Sequence, residues 1–449
     1  MPEHLDGGSR PVLEPTPDQT TALDALLGSV GAAVFSPFLL HGVTGSGKTE
    51  IYFRAIEWVL GHGQGAILLV PEISLTPLLV RNAVARFGDD VAVLHSELSA
   101  GERHDQWWRI REGDARIVIG ARSAIFAPLP KLGLIVVDEE HEASYKQEDG
   151  PRYGARDTAV MRAKLEGIPI VLGSATPSVE TYTNAKQGKY TYIRLPTRIG
   201  PRGLPVVEVV DQREVLRQGG GTILTPVLCD ALQARLERRE QSLLLLNRRG
   251  YATSLLCREC GAQATCPNCS VCLTLHGGGR TAECHYCAYR IRKPNTCSIC
   301  KGEYLKLSGY GTEKVVEAVR GALPGARVER LDRDLSSKRG AVARVLAAFE
   351  AGETDVLVGT QMIAKGHDFP RVTLVGVVDA DVGLGLPDFR AAERTFHLLT
   401  QVAGRAGRGE IAGEVIFQSH QPDHYALDLA RQQDYESFYE REMEFRTTM

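Results

Sequence analysis

Long hydrophobic runs are missing from this 449-residue sequence. Its most apolar stretches, such as Ala66–Val70 and Leu134–Val137, are strand-sized and far short of the ~20 residues that a helix needs to cross a bilayer. No membrane partner is expected. Residues 1–10 are polar and lack the apolar core of a secretory leader. An excess of charge is missing too: 52 Lys and Arg against 55 Asp and Glu leave a formal −3. No global basic field announces nucleic acid, so any such binding has to come from a local groove. Low-complexity tracts are absent. Cysteine is nearly absent over most of the chain, with Cys229 alone outside residues 257–300. Without secretion, the remaining cysteines read as metal ligands kept reduced in the cytoplasm, not as disulfides.

Eight of those nine cysteines form four Cys-x-x-Cys pairs: Cys257/Cys260, Cys266/Cys269, Cys284/Cys287 and Cys297/Cys300. Eight thiolates at that spacing suffice for two tetrahedral four-sulfur Zn²⁺ sites. Spacing alone allows nested or interleaved pairing. Cys272 is the odd one out, because Cys266-Pro-Asn-Cys269 makes the better zinc turn. Cys229 falls in a helical stretch and reads as a small buried hydrophobe. The segment 251–306 is Gly-rich and poor in periodic apolar residues, so metal replaces much of its core. It holds seven Lys and Arg against three Asp and Glu. Two Zn²⁺ on eight thiolates bring that excess to about neutral, which argues for strand guidance or protein docking over a general phosphate grip.

The rest of the chain alternates short apolar runs with helical periodicity, the pattern of parallel sheets covered on both faces. Strands are expected at Phe38–Leu40, Ala66–Val70, Val91–Leu94, Arg116–Ile119, Leu134–Val137 and Ile168–Leu172. A second series is expected at Ser242–Leu246, Arg327–Leu331, Asp355–Val358, Thr373–Val378 and Glu414–Gln418. The linker Leu195–Gly203 holds two prolines and two glycines. The expected organisation is a flexible lead-in over 1–18 and a nucleotide-binding lobe over 19–198. A second α/β lobe follows over 199–449, with the zinc module inserted at 251–306. Two such lobes would form a cleft.

Gly42, Val43, Thr44, Gly45, Ser46, Gly47, Lys48 and Thr49 match the phosphate-binding loop in full, between a strand and a helix. Its backbone N–H groups suit the phosphates of ATP, Lys48 the β/γ charges and Thr49 a Mg²⁺ ion. The strand ending at Asp138 delivers a carboxylate to the sheet edge to hold Mg²⁺, and Glu139 follows where it can orient the attacking water. Gln401, Arg405 and Arg408 supply polar and positive groups suited to the charge spread over a transferring phosphoryl group. Trp107 and Trp108 lie in a helical stretch and read mainly as packing.

These motifs, in this order, resemble superfamily 2 helicases of the DEAH-like type. With the cysteine cluster between them, the sequence resembles one family, the PriA replication-restart helicases, from about residue 15 to 449. Gln19 matches that family's adenine-reading glutamine. Val70–Thr76 and Gly120–Phe126 look like its first-lobe DNA-contact motifs, and Gly173–Thr176 like the motif that couples hydrolysis to movement. Leu246–Tyr251, Gly309–Glu313 and Gly359–Asp368 are similar to its second-lobe motifs. Thr76, Ser123, Thr360 and Lys365 suit the phosphates of a single strand. Tyr145 and Tyr153, interleaved with Lys146 and Arg152, resemble an aromatic-rich coupling loop; His141 and His367 are motif residues.

The resemblance implies two RecA-like lobes, ATP, Mg²⁺ and two Zn²⁺, and nested zinc pairing. It also implies ATP-driven 3′–5′ movement on single-stranded and forked DNA in replication restart, with primosome proteins and single-strand-binding protein as partners. Family members carry a DNA-binding region before the motor and a small domain after it, so this chain reads as a reduced form or a fragment. Two alternatives remain open on sequence alone: a zinc-bearing fork-binding scaffold with dispensable ATPase, and an RNA helicase.

Overall fold

Parallel strands buried on both faces need apolar side chains at nearly every position, and this chain supplies two such sets. The computed structural model describes residues 14–448 apart from 33, 72–76, 97, 200–204, 220–222, 247–254, 258, 270, 278, 307–310, 333–334, 336–339, 362, 364–368, 385, 387 and 408–410. The chain divides into two units, Met1–Arg202 and Gly203–Met449.

The first unit runs α1 (Pro17–Ala32), β1 (Pro37–Gly42), α2 (Lys48–Gly61), β2 (Gly65–Leu69), α3 (Pro77–Phe87), β3 (Val91–Leu94), α4 (Ala100–Glu112), β4 (Ile117–Gly120) and β5 (Leu132–Asp138). After the short hairpin β6 (Lys146–Gln147) and β7 (Tyr153–Gly154) come α5 (Ala155–Glu166), β8 (Ile170–Ser174), α6 (Val179–Lys186) and β9 (Thr191–Leu195). Seven parallel strands make one sheet in the order β3-β4-β2-β5-β8-β1-β9. Side chains alternate across it. Leu68 and Val136 join Tyr52 and Ile56 of α2 in one core layer. Ile67 and Val137 join Ala159 of α5 in the other.

The second unit runs β10 (Val206–Asp211), α7 (Gln212–Arg217), α8 (Pro226–Glu237) and β11 (Gln241–Leu245), then the cysteine-rich insert. That insert holds β12 (Leu255–Cys257), β13 (Thr274–His276), β14 (Thr281–Glu283), β15 (Arg290–Arg292) and β16 (Tyr304–Lys306). The unit resumes with α9 (Thr312–Ala322), β17 (Val328–Leu331), α10 (Ala341–Ala351), β18 (Val356–Gly359), β19 (Val372–Val377), α11 (Ala391–Ala403), β20 (Glu414–Ser419), α12 (Tyr425–Gln432) and α13 (Tyr435–Thr448). Its parallel sheet has the order β10-β20-β19-β11-β18-β17. In the insert β12 pairs antiparallel with β16, so the segment leaves and re-enters side by side. A meander of β13, β14 and β15 forms the tip. Two α/β lobes with parallel sheets and a cysteine-rich module in the second are the architecture expected from the sequence.

Three local readings change. Trp107 and Trp108 on α4 are 37% and 39% exposed, packed edge to face on each other rather than into the core. The Arg111 guanidinium stacks over both rings. Cys229 on α8 is only half-buried. Strands β9 and β10 were not anticipated. Both are sheet edges whose outward residues are polar or exposed, which removes the continuous apolar signal.

Candidate nucleotide site and metal centres

β1 delivers Gly42 to the carboxyl edge of its sheet, and the chain turns into α2 at Lys48. Gly45 and Gly47 hold φ of +84° and +82°, a left-handed conformation that favours glycine. The Lys48 ammonium donates to the Gly42 carbonyl at 2.8 Å, keeping its charge at the mouth of the loop. Ser46 Oγ is buried with no hydrogen-bond partner among the described residues. Gln19 on α1 is buried; its Nε2 donates to the Ser46 carbonyl at 2.9 Å and its Oε1 accepts from Thr16 N–H at 3.0 Å. A Cβ at Gly47 would overlap that Gln19 amide. The glutamine therefore braces the loop's backbone. Left-handed glycines, a lysine and a fresh helix N-terminus make a cradle for polyphosphate.

β5 ends at Asp138, beside this loop. Burial and the neighbouring Glu139 carboxylate push Asp138 up to about 6, against the pull of the Lys48 ammonium. Glu139 itself sits at φ +46°, a left-handed position that strains any residue with a Cβ. Its Oε2 is buried without a hydrogen bond among the described residues and lies 3.7 Å from His141 Nδ1. His141 Nδ1 in turn shares a 2.7 Å hydrogen bond with Ser174 Oγ at the end of β8. Glu140 is spent on structure: it accepts from Ser178 N–H at 2.6 Å and Thr181 Oγ1 at 2.8 Å, and pairs with Arg156 at 3.2 Å. Three successive acids thus take three positions. The Asp138 carboxylate, the orphaned oxygens of Glu139 and Ser46 and the nearby lysine fit a divalent cation bound with polyphosphate.

The hairpin after this strand is tied to it. Tyr145 is buried, and its hydroxyl donates to the Asp138 carbonyl at 2.7 Å. Tyr145 and Tyr153 line a cavity of about 200 Å³ together with Arg103, Arg122 and Ser123. Within the first unit the structure therefore gathers Gln19, the loop residues, Asp138 and Glu139 at one edge. Gln401 and Arg405 lie in the second unit, at and just beyond the end of α11; Gln401 is buried and Arg405 half-buried. Thr360 follows β18. Arg408, Thr76, Lys365, His367 and parts of the motifs at 246–251, 309–313 and 359–368 lie outside the described residues.

Among the described residues two four-cysteine groups form: Cys257, Cys260, Cys297 and Cys300, and separately Cys266, Cys269, Cys284 and Cys287, each with all sulfurs within 4.8 Å. The pairing is nested. Sulfur separations of 3.4 Å for Cys257/Cys300, 3.7 Å for Cys260/Cys297 and 3.6 Å for Cys266/Cys287 approach the ~3.8 Å edge of a tetrahedron with 2.3 Å Zn–S bonds. Ile299 N–H and Gly302 N–H point at Cys297 Sγ and Cys300 Sγ, as charged thiolates require. Cys272 belongs to neither group. Burial pushes its thiol up to about 12, and it donates to Gln263 Oε1.

The first cysteine knuckle is bolted to its own lobe. Arg213 on α7 pairs with Asp211 and donates to the Cys260 carbonyl at 3.2 Å. Arg217 donates to the Glu259 carbonyl at 2.6 Å. Gly261, at φ +73°, lies so close to the His420 carbonyl that a Cβ would overlap it. Neither arginine nor this glycine carries a motif, so reading the sequence missed all three.

Comparison with known proteins follows the same division. The DEAD/DEAH box helicase family matches residues 16–185 and the helicase conserved C-terminal domain matches 307–410. The PriA DNA helicase Cys-rich region domain matches 266–292. Replication restart protein PriA of Bacillus subtilis is 49% identical over 96% of this chain and 54% of its own length. The protein of that name from Synechocystis is 46% identical over 96% of this chain and 52% of its own. The chain spans about half the length of these curated relatives. Among solved structures, RecG bound to a three-way DNA junction matches 96% of this chain and 46% of its own (16% identity, TM-score 0.55). S. cerevisiae Dbp5 bound to RNA and ADP BeF3 matches 96% and 97% (13% identity, TM-score 0.53). At such identities the two show a shared fold alone.

Proposed function

We propose that this chain is the motor portion of a PriA-family protein, over the span it shares with those relatives, and so an ATP-driven DNA helicase of replication restart. The observation that carries the reading is the union of a complete phosphate loop beside Asp138 and Glu139 with two nested four-cysteine groups. In this reading Lys48 and Thr49 hold the polyphosphate end of ATP, and Asp138 holds Mg²⁺. A Mg²⁺ ion held there would supply positive charge against the phosphates during transfer. Glu139 orients the attacking water, its strained backbone fixing the carboxylate's direction. Gln401, Arg405 and Arg408 stabilise the charge that spreads over the transferring group. Gln19 senses the adenine end through the loop backbone it already holds. Movement is 3′ to 5′ on single-stranded and forked DNA, and both zinc sites hold the module that guides the strand or docks primosome proteins.

Lys48→Ala tests the core of this. It should abolish DNA-stimulated ATPase while the fold survives, since among the described residues the Lys48 ammonium's hydrogen bond is to its own loop. Retained hydrolysis would sink the assignment. Forked DNA compared with a matched RNA, each before and after zinc chelation, separates a restart helicase from an RNA helicase and from a passive scaffold.

A further inference from the structure

Tyr52 stands on α2 one turn after Lys48 and Thr49, where packing alone would be served by any aliphatic side chain. It is 1% exposed. A hydroxyl buried that deeply is costly unless it is hydrogen-bonded, and this one donates to Asp138 Oδ1 at 3.0 Å across 86 residues of chain. A tyrosine hydroxyl keeps its proton at neutral pH, so it is the donor and the carboxylate the acceptor.

The space it occupies is made by a second residue. Gly173 on β8 is the register partner of Asp138 on β5, and a Cβ there would overlap the Tyr52 hydroxyl. Gly173 has no positive φ to account for a glycine. The missing side chain is a notch cut for the phenol, one residue before Ser174, which holds His141.

From this geometry we infer that Tyr52 is the positioning residue that sets the carboxylate of Asp138, with Gly173 as its seat. A bond to Oδ1 fixes rotation about the Cβ–Cγ bond and so fixes where Oδ2 points. Three segments then share one hydroxyl: the helix that carries Lys48 and Thr49, the strand that carries Asp138, and the strand that leads to Ser174. A change in the loop or in the Ser174–Thr176 segment reaches the carboxylate without passing through solvent. The inference rests on the nucleotide-hydrolysing reading above.

Tyr52→Phe removes one oxygen and keeps the ring; Gly173→Ala fills the notch from the opposite side and leaves both Tyr52 and Asp138 in place. Binding of ADP to the full chain, measured by calorimetry with Mg²⁺ and with EDTA, is the direct readout. Both variants should bind metal-free ADP within about twofold of the parent and lose about tenfold or more of the tightening that Mg²⁺ gives, the usual effect of removing a partner from a metal ligand. In turnover, kcat should fall about tenfold with KM for ATP changed much less, and raised Mg²⁺ should restore part of the loss for Tyr52→Phe. Parental Mg²⁺ dependence in Tyr52→Phe overturns the inference, as does an equal loss of affinity with and without metal, which marks simple packing. A parent chain that binds no Mg²⁺·ADP removes the nucleotide reading itself.

Discussion

Replacing Gly261 with alanine should unseat the first zinc knuckle from its lobe without altering a ligand. Two separate costs arise. Holding a non-glycine residue at φ +73° costs about 1–2 kcal/mol. The new Cβ also meets the backbone carbonyl of His420, the residue after β20, which cannot swing aside as a side chain would. Relief requires the knuckle to lift, and lifting breaks the Arg213–Cys260 and Arg217–Glu259 bonds. Hydrogen bonds to charged donors contribute about 1.5–3 kcal/mol each when shielded and less where exposed, so the pair adds roughly 2 kcal/mol here. The sum, about 3–4 kcal/mol, corresponds to a drop of roughly 6–16 °C in the melting temperature of a unit this size. Gly277→Ala is the control: its φ is +60°, but a Cβ there meets only Thr281 Oγ1 at 3.8 Å. It carries the strain alone and should cost about 1 kcal/mol. Thermal unfolding of the zinc-loaded chain and colorimetric zinc release under chelation read both variants. If Gly261→Ala melts and releases zinc like Gly277→Ala, the knuckle is not seated as described.

Cysteine substitutions should sort by group. Cys257→Ser and Cys284→Ser should each lower bound zinc by about one equivalent, while Cys272→Ser leaves it unchanged; elemental analysis of the purified chain decides. Stability should also depend on pH through Asp379. Burial, then the adjoining Asp381 carboxylate, push it from 3.8 to about 8, and its Oδ1 has no hydrogen bond among the described residues. The folded chain thus keeps a proton that the unfolded chain has lost between pH 4 and 8, and stability falls as pH rises through that window. Asp379→Asn should remove this slope, gaining most at pH 8 and little near pH 4. Urea midpoints at both ends check it, and parallel curves for variant and parent would refute it.

Much of the fold could be read from one dimension because a parallel sheet writes its strands as apolar runs. β2 and β5 are buried along nearly their whole length, and both were recognised from composition. β9 and β10 escaped because an edge strand faces solvent on one side. In the site the same split holds. The loop around Lys48 and the Asp138–Glu139 step are local in sequence and carry their chemistry in their spacing. Tyr52, Gly173 and Arg213 act on groups distant along the chain, through a shape that only folding creates. Spacing left the zinc pairing open, since nested and interleaved ligands have equal intervals; the β12–β16 ribbon brings the outer pairs together. Trp107 and Trp108 show the converse failure, because helical periodicity on α4 does not say which face looks outward.

Nesting also gives the insert an order of assembly. The inner ring closes across 21 residues, from Cys266 to Cys287, and the outer across 43, from Cys257 to Cys300. Shorter loops close faster and at less entropic cost, so metal captured at the tip shortens the path that the outer ring must still close. On that ground the module should build from its far end toward its root, with the bond between Arg213 and the Cys260 carbonyl formed after the outer ring. A lobe that had formed its sheet would receive an insert already shaped at the tip, and changes in length near residues 277–280 would be absorbed inside the inner ring without reaching the seat at Gly261.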